Sequence, residues 1–491
     1  MKIAIAYPPL THKRSIPLLS QNRQFQWLPS NNITSYFIYP VVPASAATLL
    51  ASKGYMVFWL DGLANKQSYN EWLNTLKDNN PDLIAIETKT PVVKSHWRII
   101  RSLKKELPQI KIVLMGDHVT AFPEESLNNS PVDFVITGGD YDFLLLNLAN
   151  HLSKKEKLEP GIYWRNSKNN KKLESSGKFR LNHDLDNLPM IDRDLTNWHL
   201  YSFHNSNFYR APGAYTMFGR DCWWGKCTFC SWTTLFPGRD YRAVSVKKAL
   251  DEVGSLIERY QVKEIMDDSG AFPNGDWLRN FCRGMIKRGY QKKVRFNCNM
   301  RFNSGLTRDD YLVMGKAGFR FILYGLESAS QETLDRINKN LQIKEIEQTL
   351  RWAKEAGLMP HLTIMVGYPW ENRANINSTI SLAEKYFRDG LANSLQATIV
   401  IPYPGTPLYQ YCLKNKLLRT TDWNRYDMSE PIMKSGISES ELSTAVRSIY
   451  SRSIWTPRFV FNIFRQLNSV DGVKYVSFQG LKYFIKLLEF R

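Results

Sequence analysis

The segment Cys222-Trp-Trp-Gly-Lys-Cys227-Thr-Phe-Cys230 places three cysteines within nine residues. It directly follows an apolar run, Tyr215–Gly219, that we interpret as a strand, so all three thiolates can face one point. Three cysteines are one short of the four thiolates that usually hold a four-iron cluster, and the missing ligand would leave one iron open. A zinc site is the structural alternative, but it needs a fourth ligand, and no partner stands at zinc-finger spacing.

The strand before the cysteines begins a strand–helix alternation that continues to about residue 400. The intervening helices include Val246–Tyr260 and Ile343–Ala356. Six such units predict a complete or partial (β/α) barrel, whose active site lies at the carboxyl ends of the strands. The predicted strands are Tyr215–Gly219, Glu264–Asp267, Val294–Asn299, Phe319–Tyr324, His361–Val366 and Gln396–Ile401.

The first 150 residues show a second strand–helix alternation, with helices such as Ala44–Lys53 and Tyr69–Asn79. Short apolar runs between helices predict an α/β domain with a doubly wound parallel sheet, which binds ligands beyond the carboxyl ends of its strands. No GxGxxG motif is present, so a nicotinamide or flavin dinucleotide is not favoured. The predicted strands are Lys2–Ala6, Tyr55–Leu60, Leu83–Glu87, Lys111–Met115 and Asp133–Thr137.

These patterns divide the chain into an N-terminal sheet domain (1–151), a linker (152–205), a barrel (206–420) and a helical C-terminal region (421–491). In the linker we predict a hairpin of Ile162–Arg165 with Phe179–Asn182. Residues 452–491 carry seven Lys or Arg against two acids, and apolar residues recur at helical spacing. This tail is either a helical cap on the barrel or a contact with a membrane surface. The recurring residues are Leu481, Phe484, Ile485 and Leu488.

The composition limits the class of partner. Lys and Arg number 65 against 46 acids, but much of this charge lies in solvated stretches such as 153–180, and no RNA-binding module is apparent. A nucleic-acid partner is therefore not favoured. The longest apolar stretches are too short to span a membrane. Six cysteines in 491 residues are too sparse for a secreted disulfide scaffold. We expect a cytoplasmic protein, peripheral at the membrane if the tail binds lipid.

At its cysteine segment and later strands the sequence resembles the radical SAM superfamily. The usual loop of that family has three residues between the first two cysteines, whereas this chain has four. The resemblance implies that Cys222, Cys227 and Cys230 hold a 4Fe-4S cluster whose open iron binds S-adenosylmethionine. It also implies that Phe229 packs near the adenine and that an external donor supplies electrons.

The same resemblance suggests further contacts with S-adenosylmethionine at the ends of later strands. It implies Asp267 and Asp268 for the methionine moiety, Arg301 for the carboxylate, Glu327 for the ribose and Gly367 beside the adenine. Each has a plain structural alternative, because an acid at a strand end is often a helix N-cap and Arg301 could be a salt-bridge partner.

The segment Ile401–Tyr409 and the N-terminal loops resemble the cobalamin-dependent branch of that superfamily, which includes class B methylases and the anaerobic cyclase of chlorophyll synthesis. The resemblance covers about residues 1–420. It implies a cobalamin-binding, Rossmann-like N-terminal domain. The implied cobalamin contacts are Pro9, Leu10, Thr88, Gly116, Asp117, His118, Gly138 and Gly139.

The histidine motif that ligates cobalt in related domains, DxHxxG, is absent. His12 and His118 lie near the relevant loops without that spacing, and we interpret His118 as a loop residue near the cofactor tail. The lower face of cobalamin would then be weakly ligated. Gly138 and Gly139 permit close approach of the backbone to a ligand, or form an ordinary tight turn.

The sequence thus predicts a cobalamin-dependent radical SAM enzyme that methylates an unactivated carbon through a 5′-deoxyadenosyl radical and methylcobalamin. A cyclase or ring-rearranging enzyme with the same cofactors is the alternative, and a non-catalytic cobalamin-binding protein is another. An aromatic content of 13% and the basic, apolar tail favour an apolar or amphiphilic small molecule as substrate. The residue patterns identify no catalytic side chain.

Overall fold

The computed structural model describes residues 1–10, 15–18, 26–29, 37–166, 172–203, 208–237 and 240–489. It shows an α/β protein with two largely parallel sheets, as the strand–helix alternation predicts. His12 lies outside the described residues. Among these residues no helix is long and apolar enough to cross a membrane.

The N-terminal sheet has seven strands and a separate small hairpin of β2 and β3. Its first five strands, in the spatial order β4-β1-β5-β6-β7, pair in parallel, and β8 and β9 continue the sheet antiparallel. The strands are β1 Lys2–Tyr7, β2 Ser15–Leu18, β3 Gln26–Pro29, β4 Met56–Asp61, β5 Leu83–Glu87, β6 Lys111–Met115, β7 Phe134–Ile136, β8 Ile162–Arg165 and β9 Leu173–Ser175.

Helices cover both faces of this sheet. In β1 the side chains of Ile3 and Ile5 join one apolar cluster, whereas Ala4 and Ala6 join another, because successive residues of a strand point to opposite faces. A strand buried on both faces explains the continuous apolar run in the sequence. The helices are α1 Val41–Ser52, α2 Tyr69–Asn79, α3 Val93–Glu106, α4 Asp117–Ala121, α5 Pro123–Asn129 and α6 Tyr141–Lys154.

The predicted hairpin of the linker is wrong in its second strand. β8 pairs with Leu173–Ser175, not with Phe179–Asn182. The nearer strand needs a shorter connection. Phe179 instead packs its ring against Gly138 and its Cβ against Gly161.

The second sheet has six parallel strands in chain order, β10-β13-β14-β15-β16-β17. Along the chain, between the first two of these strands, β11 and β12 form a separate antiparallel ribbon. The strands are β10 Gly213–Thr216, β11 Gly219–Arg220, β12 Arg242–Ala243, β13 Glu264–Asp267, β14 Arg295–Met300, β15 Phe319–Glu327, β16 Met359–Val366 and β17 Ser394–Ile399.

Helices separate these strands and extend beyond the last one. Local signals define their ends: Thr307 and Asp310 form a capping box at the start of α10, and Gly357, at φ +79°, follows α12. The helices are α7 Trp232–Leu235, α8 Val246–Glu258, α9 Gly275–Lys287, α10 Arg308–Lys316, α11 Gln331–Arg336, α12 Ile343–Glu355, α13 Arg373–Arg388, α14 Pro407–Lys414, α15 Glu439–Ile454, α16 Pro457–Gln466 and α17 Val470–Glu489.

An aromatic cluster joins α9 to the second sheet. The ring of Phe281 is fully buried and lies 5.2 Å from Phe296 of β14 and 5.8 Å from Phe272. We expect Phe281→Ala to lower stability by about 3–5 kcal/mol, because it leaves a cavity among rings that cannot close in. Ile286→Ala, on the exposed side of the same helix, is the control. Equal melting temperatures for the two variants would contradict this account of the core.

Candidate active site

The cysteine loop lies between the two strands of the β11–β12 ribbon. Cys227 is buried and the other two thiols are largely so, and all six cysteines are free. Burial raises the pKa of Cys222, and the charge of neighbouring Asp221 raises it further. Burial also raises the pKa of Cys230, together with the charges of Cys227 and Cys222. The three sulfurs are thus close enough to influence one another.

Among the described residues, no three His, Cys, Asp or Glu side chains are arranged to hold a single metal ion. The thiolates that hold an iron–sulfur cluster bind different irons, so this result concerns single-ion sites only.

Arg301 meets the cysteine loop at the end of β14. Its Nη1 lies 3.5 Å from Cys227 Sγ, and its Nη2 donates to the carbonyl oxygen of Lys339. The guanidinium carbon lies 5.5 Å and 5.1 Å from the ring centres of Trp223 and Trp224. Its buried Nε has no hydrogen-bond partner within the part of the chain that the structure describes. The side chain predicted for a ligand carboxylate therefore lies beside the cysteines.

Glu327 ends β15 with a left-handed backbone, at φ +63°. The pairing of β15 with β16 shifts register between Gly325 and Glu327, and such irregularities often lie beside functional sites. Glu327 Oε1 lies 2.6 Å from Lys339 Nζ, and both side chains are buried. This lysine lies 5.9 Å from the ring centre of Phe229, so the pair is next to the cysteine loop. The sequence patterns did not single out Lys339.

Glu371 organises the loop after β16. Its Oε2 accepts from the backbone N–H groups of Gly367 and Tyr368, at 2.9 Å and 3.2 Å, and its Oε1 accepts from Ser328 Oγ at 3.0 Å. The ring of Tyr368 is thereby held 6.3 Å from that of Phe229. Burial, followed by the charge of Glu327, raises the pKa of Tyr368 well above its usual value. The sequence patterns did not predict Glu371 as a site residue, although it lies four residues after Gly367.

The acids at the end of β13 differ in their surroundings. Asp267 accepts from Thr216 Oγ1 and from the backbone N–H of Phe218, both at 2.9 Å, and burial raises its pKa to about 6. Its Oδ2 therefore holds the end of β10 to β13. Asp268 is buried beside it and donates its backbone N–H to Thr216. Asp221, which directly precedes the first cysteine, has a buried Oδ2 with no partner among the described residues.

The loops predicted to bind cobalamin meet at the carboxyl edge of the N-terminal sheet. Gly116 has φ +122°, and a Cβ there would overlap the carbonyl oxygen of Thr88. Lys89 is buried between Glu87 Oε1 and Asp117 Oδ2, at 3.9 Å and 3.7 Å. Sequence patterns did not predict a lysine at this edge.

His118 is fully buried and contacts protein at both ring nitrogens. Nδ1 lies 3.2 Å from Thr90 Oγ1, and Nε2 lies 3.0 Å from Glu125 Oε2. Leu10 is also buried at this edge, and Pro9 packs against Gly62.

Side chains of this protein occupy the space beside the two glycines that follow β7. A Cβ at Gly138 would overlap the ring of Phe179, and one at Gly139 would overlap the ring of Phe236. The backbone N–H of Gly139 also donates to Leu235 of α7, at 3.0 Å. The close approach that glycine permits is thus made to the linker and to the helix after the cysteines.

Residues 216–383 match the sequence model of the Radical SAM superfamily. This segment is a radical SAM domain. It contains the cysteine loop and the ends of strands β13 to β16, where the site residues lie.

The sequence similarity to known proteins extends beyond this domain into the N-terminal sheet. The chain is 27% identical over 394 residues to the uncharacterized methyltransferase PH0819 of Pyrococcus horikoshii, covering 80% of this chain and 82% of the relative. It is 27% identical to the anaerobic magnesium-protoporphyrin IX monomethyl ester cyclase of Cereibacter sphaeroides, covering 82% of this chain and 65% of the cyclase.

Two solved structures share the fold. The radical SAM enzyme OxsB, with aqua-cobalamin and S-adenosylmethionine bound, superposes with a TM-score of 0.70 at 15% identity, covering 99% of this chain and 72% of OxsB. The radical SAM methyltransferase TsrM of Kitasatospora setae, with cobalamin and a 4Fe-4S cluster bound, has a TM-score of 0.63 at 14% identity, covering 84% of this chain and 78% of TsrM.

His183, in the linker next to the radical SAM domain, should make the stability of the protein depend on pH. Burial alone would lower its pKa, but hydrogen bonds with Asp140 and Glu159 raise the pKa to about 9, and its ring stacks on Phe143. The unfolded value is about 6.5. Because the folded pKa is the higher one, the stabilisation is complete below pH 6.5 and is lost as the pH rises through 9. The melting-temperature difference between wild type and His183→Gln should narrow over that range. A constant difference would contradict the assignment.

Proposed function

We propose that this chain is a cobalamin-dependent radical SAM enzyme that methylates an unactivated carbon of a small molecule. One observation carries the proposal: the cysteine loop, at the carboxyl edge of the second sheet, is held against the carboxyl edge of the N-terminal sheet, where ligands of such sheets bind. The bound cofactors of OxsB and TsrM and the relative named a methyltransferase support it.

The residues present fit the cofactors. Burial of the thiols raises the pKa of Cys222 and Cys230, and this penalty disappears when iron binds, since a coordinating thiol is deprotonated. Buried polar atoms of Asp221, Arg301 and Tyr368 have no partner among the described residues, although most buried polar groups are satisfied. A polar ligand beside the cysteine loop would supply those partners.

In this proposal Cys222, Cys227 and Cys230 hold a 4Fe-4S cluster. When bound, the cluster and S-adenosylmethionine supply a 5′-deoxyadenosyl radical, and cobalamin supplies the methyl group that replaces the abstracted hydrogen. The chain's own part is to bind, orient and exclude water. Arg301 offers its Nε to the carboxylate of S-adenosylmethionine. Asp268 is assigned to the methionine moiety, because both oxygens of Asp267 already accept hydrogen bonds from Thr216, Phe218 and Ser269.

The adenosine of S-adenosylmethionine would lie between the loops that follow β15 and β16. Glu327, with Lys339, is assigned to the ribose, and Gly367 provides space beside the adenine. Phe229 and Tyr368 form the aromatic wall of that space, and Glu371 holds the loop in place.

The N-terminal edge is assigned to cobalamin. We assign Thr88, Gly116 and Asp117 to its lining, together with Pro9 and Leu10. His118, which follows Asp117 and contacts Glu125, would lie near the cofactor tail. Gly138 and Gly139 contribute the turn that brings the two edges together rather than a direct ligand contact.

We propose that the chain comprises a cobalamin-binding, Rossmann-like domain (1–151), a linker (152–205), a partial (β/α)6 barrel (206–420) and a helical C-terminal region (421–491). Six parallel strands in chain order support the barrel, and five parallel strands covered on both faces support the first domain. The free cysteines favour a reducing, cytoplasmic compartment. An external electron donor completes the partners.

A radical SAM cyclase is the second candidate, favoured by the cyclase relatives. The two reactions differ in product mass, because methylation adds one CH2 and cyclisation does not. A binding protein without catalysis would have no use for Arg301 and Glu327 beside intact cysteines.

Anaerobic reconstitution with iron, sulfide and cobalamin tests the function. We expect about four irons and one cobalt per chain, and formation of 5′-deoxyadenosine after addition of reductant and S-adenosylmethionine. Cys227→Ala should lose the iron and the nucleoside, since an incomplete ligand set cannot hold the cluster. Cys282→Ala is the matched control, because Cys282 is buried in α9 away from the loop. Iron without cobalt would refute the methylase, and neither metal in a folded protein would favour the binding protein.

The C-terminal tail supports a contact with an anionic membrane surface. Seven of the thirteen exposed large apolar side chains among the described residues lie between 455 and 481. Phe459 packs on Phe387 and Tyr475 packs on Tyr209, so the tail is docked by its inner face. The side chains of Phe484, Ile485 and Leu488, predicted to form an apolar stripe, lie outside the described residues. The outward residues are Trp455, Phe461, Phe464, Leu467, Val470, Val473 and Leu481.

An excess of basic residues over residues 452–491 complements anionic lipid, and exposed aromatic residues insert at the lipid interface. A membrane-bound enzyme would also be suited to an apolar or amphiphilic substrate.

The triple variant Trp455→Ser/Phe461→Ser/Phe464→Ser should lose sedimentation with phosphatidylglycerol vesicles, because each side chain is more than 60% exposed and free to insert. A triple replacement of Met56, Met190 and Phe203, which are exposed elsewhere, should bind like wild type. Equal binding of both triple variants would exclude the tail as the lipid contact.

A further inference from the structure

A buried ion network connects the start of α6 to the ribbon that flanks the cysteine loop. Arg220 Nη1 and Nη2 donate to the two carboxylate oxygens of Asp142, at 2.9 Å and 2.5 Å. Arg242 donates to both oxygens of Asp140, at 2.7 Å and 2.8 Å, and Arg220 also reaches Asp140 at 3.4 Å. Two arginines of the β11–β12 ribbon thus bind two aspartates at the start of α6.

The two arginines balance the two aspartates in charge, and all four side chains are largely buried. His183 adds a third cation beside Asp140 and is itself paired with Glu159. Exposure is 4% for Arg220, 17% for Arg242, 1% for Asp140 and 0% for Asp142. Burying charges is costly unless they are paired, so a network of this kind is weak evidence for stability. The planar fork of arginine, however, fixes the direction and distance of a carboxylate. What the network supplies is geometry.

The four residues lie next to the cysteine loop and to the turn that ends β7. Arg220 stands two residues before Cys222, and Arg242 pairs with Arg220 across the β11–β12 ribbon that encloses the cysteine loop. Asp140 directly follows the Gly138–Gly139 turn at the carboxyl end of β7, and Asp142 lies in the first turn of α6. Ser45 of α1 also donates to Asp142, at 3.0 Å, which ties the aspartate to its own domain.

We propose that Arg220 and Arg242, with Asp140 and Asp142, are positioning residues that fix the separation of the iron–sulfur cluster from cobalamin. The inference rests on the proposed function, because it needs both cofactors at the two edges. The radical formed at one edge and the methyl donor at the other must reach the same carbon, and a misplacement of about 1 Å can cost about 100-fold in rate. A rigid connection between the edges meets that requirement.

The separation can be measured without a substrate. Both the reduced cluster and cobalamin in its Co(II) state carry an unpaired electron, so pulsed electron paramagnetic resonance reports their dipolar coupling in the reconstituted protein. We expect one narrow distance in wild type. Arg220→Lys should shift or broaden it, because lysine keeps the charge but cannot hold both oxygens of Asp142 in a fixed geometry.

Arg279→Lys is the matched control. Arg279 makes the same two-point contact with Asp310, at 2.8 Å and 3.1 Å, on the outer helices α9 and α10. We expect this variant to retain the wild-type distance. Arg242→Lys is the second test variant, since its side chain is less deeply buried and its replacement is better tolerated.

The outcomes separate the inference from the function it rests on. A wild type that binds no cobalamin or no cluster refutes the proposed function. Wild type and both test variants with the same narrow distance refute the positioning role and leave the function intact. If neither test variant binds the two cofactors while Arg279→Lys does, the network is needed for assembly rather than spacing, and the proposal is wrong.

Discussion

The parallel pairing of strands is the constraint on which this structure depends. In each of the two sheets the parallel strands end at one edge, so loops that are far apart in sequence meet there. In the second sheet those loops bring the cysteines together with Arg301, Glu327 and Gly367. In the N-terminal sheet they bring together the turns that follow β1, β5, β6 and β7. Helices bury the faces of both sheets, which leaves these edges as the places where polar groups collect.

Charge is buried at both edges, and most of it is paired. Glu327 with Lys339 and Asp140 with Arg242 are ion pairs in which each carboxylate has its partner within hydrogen-bond distance. Next to them are polar atoms without partners among the described residues, at Asp221 and Tyr368. Unsatisfied buried polar groups lower stability, so a polar ligand beside the cysteine loop would supply what these two side chains lack.

Much of the fold follows from local patterns. The strands Leu83–Glu87, Lys111–Met115 and Glu264–Asp267 begin and end where the sequence predicts, because apolar runs of this length bounded by turns have one compatible structure in a parallel sheet. The linker hairpin was predicted with the wrong second strand, because β8 pairs with the nearer segment Leu173–Ser175. Phe179 packs instead against Gly138 of the N-terminal sheet, a contact that no local pattern contains.

The sequence by itself determined the two α/β halves, the cysteine loop and the strand ends that surround it, since these depend on residue type and on spacing along the chain. Only the tertiary structure decided which side chains pair with each other around the site. Lys339 joins Glu327, Asp267 turns inward to Thr216, and Arg220 meets Asp142 from 78 residues away in the chain. The physical reason is that charge pairing and close packing depend on distances in space, which short-range sequence patterns do not encode.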